Sequence, residues 1–134
     1  MPERRFEEVE FGDEFEITLD VSLKRVRRFT HAANMTFGRF TDHEAAKKEG
    51  LPGAIVPGIM SQGILVAAIH EWARGCEIRD IDTVFRAPIQ VDSRPTVRVV
   101  ATDLDAAART VHLDLTIANE AKQARVVGTA VVKL

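Results

Sequence analysis

The stretch PGIMSQGILVAAIHEWAR, residues 57–74, decides the fold. Pro57 suits a first helical turn, where its missing N–H costs nothing, and the run predicts a helix over about 57–74. From Ile59 to Ile69 the only polar side chains are Ser61 and Gln62. A helix that is apolar nearly all round is expected to be buried on most sides. The rest of the chain must therefore wrap it.

The C-terminal half supplies the wrapper. Residues 78–85, 96–104, 110–118 and 125–133 read as strands. The third is clearest: Val111, Leu113, Leu115 and Ile117 alternate with His112, Asp114 and Thr116. Residues 103–107 and 119–122 serve as hairpin connections, and Pro95 opens a strand, where proline is tolerated. Upstream, residues 15–21 alternate as a half-buried strand. Ser22 is placed to cap a helix whose stripe is Leu23, Val26, Thr30 and Ala33, with Phe29 beside it. Lys24, Arg25, Arg27 and Arg28 fall mostly away from that stripe. A loop passes through Phe37 and Gly38. Thr41 or Asp42 then caps a short helix over 42–49, which Gly50 ends as a C′ glycine. The order β, α, short α, long α and four β indicates an α+β domain with an antiparallel sheet. One curved five-stranded sheet around the long central helix is the simplest packing, and a single domain over 1–134 is expected.

Composition narrows the function. The chain has 134 residues, 46% hydrophobic and 28% charged, with a formal net charge of -2. Such a balance gives no reason to expect nucleic acid as the main partner. There is no Tyr, and no basic run is interleaved with aromatics for stacking on bases. The lone Cys76 forms no internal disulfide and fits a reducing compartment. The first residues, MPERRFEEVEFGDEF, lack the apolar run of a signal peptide. The longest apolar stretch, 63–69, is far short of the roughly 20 residues a membrane span needs. A soluble, cytoplasmic protein is expected.

Three segments then stand out: FTHAANMTFGRFTD at 29–42, GLPGAIVPGIM at 50–60 and VFRAPI at 84–89. With the order of elements, they resemble the MaoC-like branch of (R)-specific enoyl-CoA hydratases and hydroxyacyl dehydratases, which has the hotdog fold. The resemblance runs from about Phe11 to the C-terminus. It implies a single hotdog domain and a thioester of CoA or acyl carrier protein as substrate or ligand, with no other cofactor. It also implies an Asp in the loop after the first helix and a His five positions on, as G-D-x-N-P-x-H. Hydration of an enoyl thioester needs a base for water and an acid for the α-carbon. The thioester oxygen gains negative charge, which N–H groups at the central helix's N-terminus stabilise.

Aligned without a gap, the family Asp falls on Met35 and the His on Phe40. The Asn falls on Phe37 and the Gly on Asn34. Neither Met nor Phe moves a proton, and each such role is worth about 10²–10⁴ in rate. Gly58 keeps the oxyanion position, while Pro57 replaces a residue often His or Asp in relatives.

Other candidates are weaker. His31, one turn before Met35, and Asn34 are the nearest polar substitutes for the dyad; the plain alternatives are an exposed helix histidine and a helix C-cap. Asp42 and His43 are adjacent, so they do not face one another on a helix; a cap and a surface residue are expected. His70 marks where the long helix emerges, and Cys76 has no obvious base. No cluster has metal-ligand spacing. Met35, Phe37, Phe40, Pro57, Gly58 and Ile59 are expected to line the substrate site, or the three apolar loop residues pack against a partner. Lys24, Arg25, Arg27 and Arg28 either meet phosphates or form a solvated helix face.

Three functions compete. The chain is an accessory subunit of a hydratase or dehydratase, homodimeric or paired with another hotdog subunit; or an active enoyl-thioester hydratase, a lyase, with a relocated acid or base such as His31; or a thioester-binding module without chemistry. A thioesterase role needs a carboxylate near the helix start, and Glu71 lies too far along.

Overall fold

A computed structural model describes residues 3–134. The alternating segments and the apolar run become β1 (Glu14–Thr18), α1 (Leu23–Ala32), α2 (Gly38–Thr41), α3 (His43–Lys48), α4 (Gly58–Trp72), β2 (Glu77–Phe85), β3 (Thr96–Asp105), β4 (Thr110–Ala118) and β5 (Ala124–Lys133). The strands form one antiparallel sheet in the order β1-β3-β4-β5-β2. One face of that sheet carries Val97, Val99, Val111, Leu113, Leu115, Ile117, Val126 and Val132, all buried. Against them α4 sets Leu65, Ala68, Ile69 and Trp72, also buried. The α+β architecture and the five-stranded antiparallel sheet stand as expected.

The helix is not buried on every side. Ile59, Gly63 and Ala67, at four-residue spacing, form an open stripe. Ile59 is 55% exposed. Composition alone does not distinguish the covered face from the open one, because both are apolar.

Local boundaries moved for identifiable reasons. The first strand stops at Thr18, where it pairs with Thr96. The next residue on the partner is Pro95, which has no N–H to donate; only the Leu19 N–H to Pro95 carbonyl bond (2.9 Å) continues. Val21 survives as an isolated bridge to Ser93. The first helix is capped by Ser22, whose side chain accepts the Arg25 N–H. Val26 and Thr30 are buried as the stripe predicts, but Ala33 is exposed, because the helix ends there as its C-cap. The loop at Phe37–Gly38 holds an additional turn, α2, absent from the sequence reading. Of the two alternatives for α3, Asp42 is the cap, accepting from the N–H groups of Glu44 and Ala45. Gly50 has φ +90, the left-handed conformation expected of a C′ glycine.

The N-terminal segment straps the far end of α4. Arg4 donates through Nε to the Trp72 carbonyl (2.6 Å), and its guanidinium lies 5.0 Å from the Trp72 ring centre. A cation there meets both an orphan carbonyl and the negative end of the helix. Next to it, Arg109 donates to both Glu7 oxygens (2.6 and 3.3 Å). That hydrogen bond, with one from Glu7's own backbone, holds the Glu7 carboxyl down at about 2, against an ordinary 4.5. A carboxyl depressed in the folded state stabilises it above the unfolded value, and the contribution fades as pH falls toward the folded one. Glu7→Gln is therefore expected to melt slightly below wild type at pH 7. The gap should close between pH 4.5 and 2 in melts followed by circular dichroism. A gap constant over that window would remove this pair from the acid response.

Candidate functional site

The start of α4 is where the three singled-out segments meet. Ile55 donates its N–H to the Arg39 carbonyl (2.9 Å), which ties the 29–42 segment to the extended residues entering the helix. Val56 donates to the Ile89 carbonyl (2.8 Å) and Val91 to the Ala54 carbonyl (2.9 Å), which adds the 84–89 segment. Phe85 lies over Gly58; a Cβ on that glycine would meet the ring at 3.4 Å. The three segments thus form one frame around the helix N-terminus, although Phe40 and Phe85 lie far apart in sequence.

Within the frame is a pocket of about 300 Å³. Its lining includes Val56, Gly58, Ser61, Phe85, Arg86 and Ile89. Pro57 is the N-cap and has no N–H. Ser61 already donates its N–H to the Pro57 carbonyl (3.1 Å). Helix geometry leaves the N–H groups of Gly58, Ile59 and Met60 without intrahelical acceptors. The Ser61 hydroxyl, 98% buried, turns back to the Pro57 carbonyl at 3.5 Å. Arg86 is the only ionisable residue lining this pocket. No carboxylate or imidazole among the described residues lines it, so it has hydrogen-bond donors and an apolar wall but no proton-transfer pair.

The sequence-derived site residues are spread over two neighbouring places. Pro57, Gly58 and Ile59 form the helix start. Met35 is half-buried and donates its N–H to the Thr30 carbonyl (2.7 Å). Phe40 packs on the core, and Phe37, 63% exposed, meets it edge-on at 6.3 Å. Neither phenylalanine lines the pocket beside Gly58. Asn34 sits just beyond α1 with φ 55, so it is a left-handed C′ residue exposed to solvent. His31 is exposed and lines a separate groove between α1 and α2.

His43 is not a plain surface residue. Its Nδ1 accepts the Ala54 N–H (3.0 Å) and its Nε2 meets Asp92 Oδ2 (2.8 Å). Nδ1 is thus an acceptor, and Nε2 carries the hydrogen donated to Asp92. Asp92 also accepts the Leu23 N–H at the start of α1 (2.8 Å). The bond from His43, then that from Leu23, hold its carboxyl below the usual carboxylate range. With both ring nitrogens occupied, His43 ties α3, the loop at Ala54 and α1 together and has no lone pair for a substrate. Asp92 escaped the sequence reading because its partner is 49 residues away.

Cys76 is buried, and burial pushes its thiol up. Its Sγ is 4.0 Å from His70 Nδ1, too far to activate it. Among the described residues no three His, Cys, Asp or Glu side chains gather to hold a metal, and no helix is long and apolar enough to cross a membrane.

The frame also carries an open edge. β2 ends the sheet, and its outer rim has no strand partner among the described residues. Val84 and Phe85 at its end are 55% and 52% exposed, beside Ile59 at 55%. The opposite edge, β1, is five residues long with Glu14 and Glu16 outward, a charged edge of the kind that resists pairing.

No protein-family model and no curated protein matches the sequence. Solved structures do. R-hydratase PhaJ1 from Pseudomonas aeruginosa superposes with TM-score 0.91 at 18% identity, over 98% of this chain and 85% of that one. A MaoC-like dehydratase gives TM-score 0.89 at 20% identity, over 97% of this chain and 42% of that one. A chain of the ChsH1-ChsH2 complex from Mycobacterium tuberculosis gives TM-score 0.84 at 14% identity, over 93% and 98%. The chain therefore has the hotdog fold, built as it is in the (R)-hydratases and MaoC-like dehydratases.

Proposed function

We propose that this chain is a thioester-binding, accessory subunit of a hotdog hydratase or dehydratase, with a degenerate active site of its own. The observation that carries this reading is the pocket at the start of α4. It has the N–H of Gly58 at the first turn of the helix, suited to a thioester oxygen, and among the described residues no carboxylate or imidazole lines it to move a proton. The ungapped family alignment, which sets Met35 and Phe40 at the acid and base positions, points the same way, although neither side chain lines this pocket. The open β2 edge, with Val84, Phe85 and Ile59 beside it, supports a second hotdog subunit there, either a copy of this chain or one that brings an Asp and a His. A structural neighbour that is a two-component complex fits that arrangement.

The test has two arms. The purified chain is mixed with enoyl-CoA or the enoyl thioester of acyl carrier protein, and loss of the conjugated chromophore is followed; no turnover above background is expected. A non-hydrolysable acyl thioester analogue is then titrated in thermal melts. At about 100 times its Kd it should raise stability by roughly 2.7 kcal/mol. Turnover by the chain alone would replace this reading with an active lyase, and His31→Ala would then ask whether His31 takes part. Absence of any ligand shift would remove the thioester from the proposal.

A further inference from the structure

The bonds of His43 close a ring that frames the pocket. His43 accepts the Ala54 N–H at Nδ1 (3.0 Å). The Ala54 carbonyl accepts the Val91 N–H (2.9 Å). The next residue, Asp92, accepts the Nε2 hydrogen of His43 (2.8 Å) and closes the circuit. Both backbone segments of the ring line the pocket beside Gly58: Ile55 and Val56 follow Ala54, and Pro88 and Ile89 precede Val91. Two features show how closely the ring is built. A Cβ at Gly53 would stand 2.9 Å from Nδ1, so a side chain there would push the imidazole away. Asp92 has φ 65, a left-handed conformation that aspartate tolerates, and its bonds to His43 and Leu23 hold it there. Ala54 is fully buried, so its N–H has no water to turn to when His43 lets go.

We infer that His43 is a pH-dependent positioning residue for this pocket: its neutral ring holds the Ala54–Val56 segment in place, and charging the ring releases that segment and weakens ligand binding. The inference rests on the thioester reading above and adds regulation to it. The chemistry follows from the tautomer. The neutral ring has one lone pair, at Nδ1, and Ala54 occupies it. The imidazolium carries a hydrogen on both nitrogens, so Nδ1–H would confront the Ala54 N–H across 3.0 Å. The other contact changes in the opposite sense, because the Asp92 carboxylate bonds more strongly to a charged ring than to a neutral one. Charging therefore keeps the imidazole on Asp92 and breaks its hold on Ala54 alone. The bond to Ala54 belongs to the neutral form, so it is present above the pH at which His43 charges and lost below it. The charged surroundings are few. Asp92 meets Nε2, and Arg27 of α1 lies near enough to act on Asp92. Arg39 of α2 is paired with Glu49 (2.9 Å). On α3, Asp42 caps the helix, and Glu44 and Lys47 pair with each other (3.2 Å). Residues 51–56 bring no charge. Among the described residues Asp92 is the one ionisable group bonded to the ring.

The experiment follows the full chain between about pH 8 and 5, the window in which histidine charges. Heteronuclear NMR reads the charge of the His43 ring and the hydrogen-exchange protection of the Ala54 N–H. A non-hydrolysable acyl-pantetheine analogue, which has no group titrating in that window, reads the pocket by calorimetry. As His43 charges, Ala54 protection should fall at least about tenfold, and the analogue should bind at least about fivefold more weakly. Leu113, buried in the middle of β4, is the internal reference and should keep its protection. Asp92→Asn removes the charge that favours the imidazolium, so both changes should move to lower pH. His43→Asn sets an uncharged acceptor near the place of Nδ1 and should bind the analogue equally at both ends of the window. His112→Gln, on the polar face of β4, should keep the wild-type profile. A ring that stays neutral throughout the window, Ala54 protection that stays constant while His43 charges, a parallel loss at Leu113, or an unchanged pH dependence in His43→Asn would each overturn the switch. If Ala54 responds as described while the analogue binds at no pH, the release of the segment stands and the thioester reading falls. If the analogue binds with one affinity across the window, the thioester reading stands and the switch falls.

Discussion

Leu65→Ala is expected to lower the unfolding free energy by about 2–5 kcal/mol. Leu65 lies mid-way along α4 and is fully buried against the sheet. The variant loses the transfer energy of the removed atoms and leaves a cavity that the surrounding strands fill only in part. Against a total stability of about 5–15 kcal/mol for a domain of this kind, the loss would be a large fraction. Two residues on, Ala67 lies on the open stripe. Ala67→Gln should change stability by less than about 0.5 kcal/mol in the isolated chain. Chemical denaturation of both variants checks the orientation of the helix. Equal costs would mean that α4 is turned differently from the packing described above.

Phe85→Asp is expected to weaken the proposed assembly through β2 strongly while leaving the fold intact. Phe85 ends the open edge strand, half exposed, beside Val84 and Ile59. In the proposed interface a carboxylate at this position has to be desolvated without a partner, and buried aromatic anchors carry much of the energy of such contacts. Association, with a second copy or with a hotdog partner bearing the Asp and His, should weaken by about 100-fold or more. Light scattering on the eluting protein measures this directly. Phe11→Asp is the control, since Phe11 is 76% exposed and lies outside the edge strand. Assembly unaffected by Phe85→Asp would move the partner away from β2. Because Phe85 also lies over Gly58, its loss is expected to weaken thioester binding too, which would link assembly to the pocket.

Much of the fold was legible because its signals are local. The alternation of Val111, Leu113, Leu115 and Ile117 names the inward face of β4 without reference to any other strand, and the structure places all four inside. Ser22, Asp42 and Gly50 act on their own neighbours, so their capping roles were readable. Where a boundary moved, a partner was responsible: β1 ends at Thr18 because the strand beside it begins after Pro95. The single turn of α2 was missed because GRFT is too short to show a helical period. The site was legible as three segments but not as a geometry. His43 belongs with Asp92 and Ala54, not with Asp42, and those bonds cross 49 and 11 residues of chain.

The sequence by itself determined that a long apolar helix exists and that strands must cover it. These conclusions need only the order and chemistry of neighbouring residues. The tertiary structure decided which side of that helix is covered, that β2 ends the sheet with Val84 and Phe85 exposed near the helix start, and that the basic face of α1 borders a groove with Thr41 of α2. An apolar helix and a strand carry the same side chains whether or not a neighbour lies against them; only the packing of distant segments settles which of those surfaces remain open to a partner.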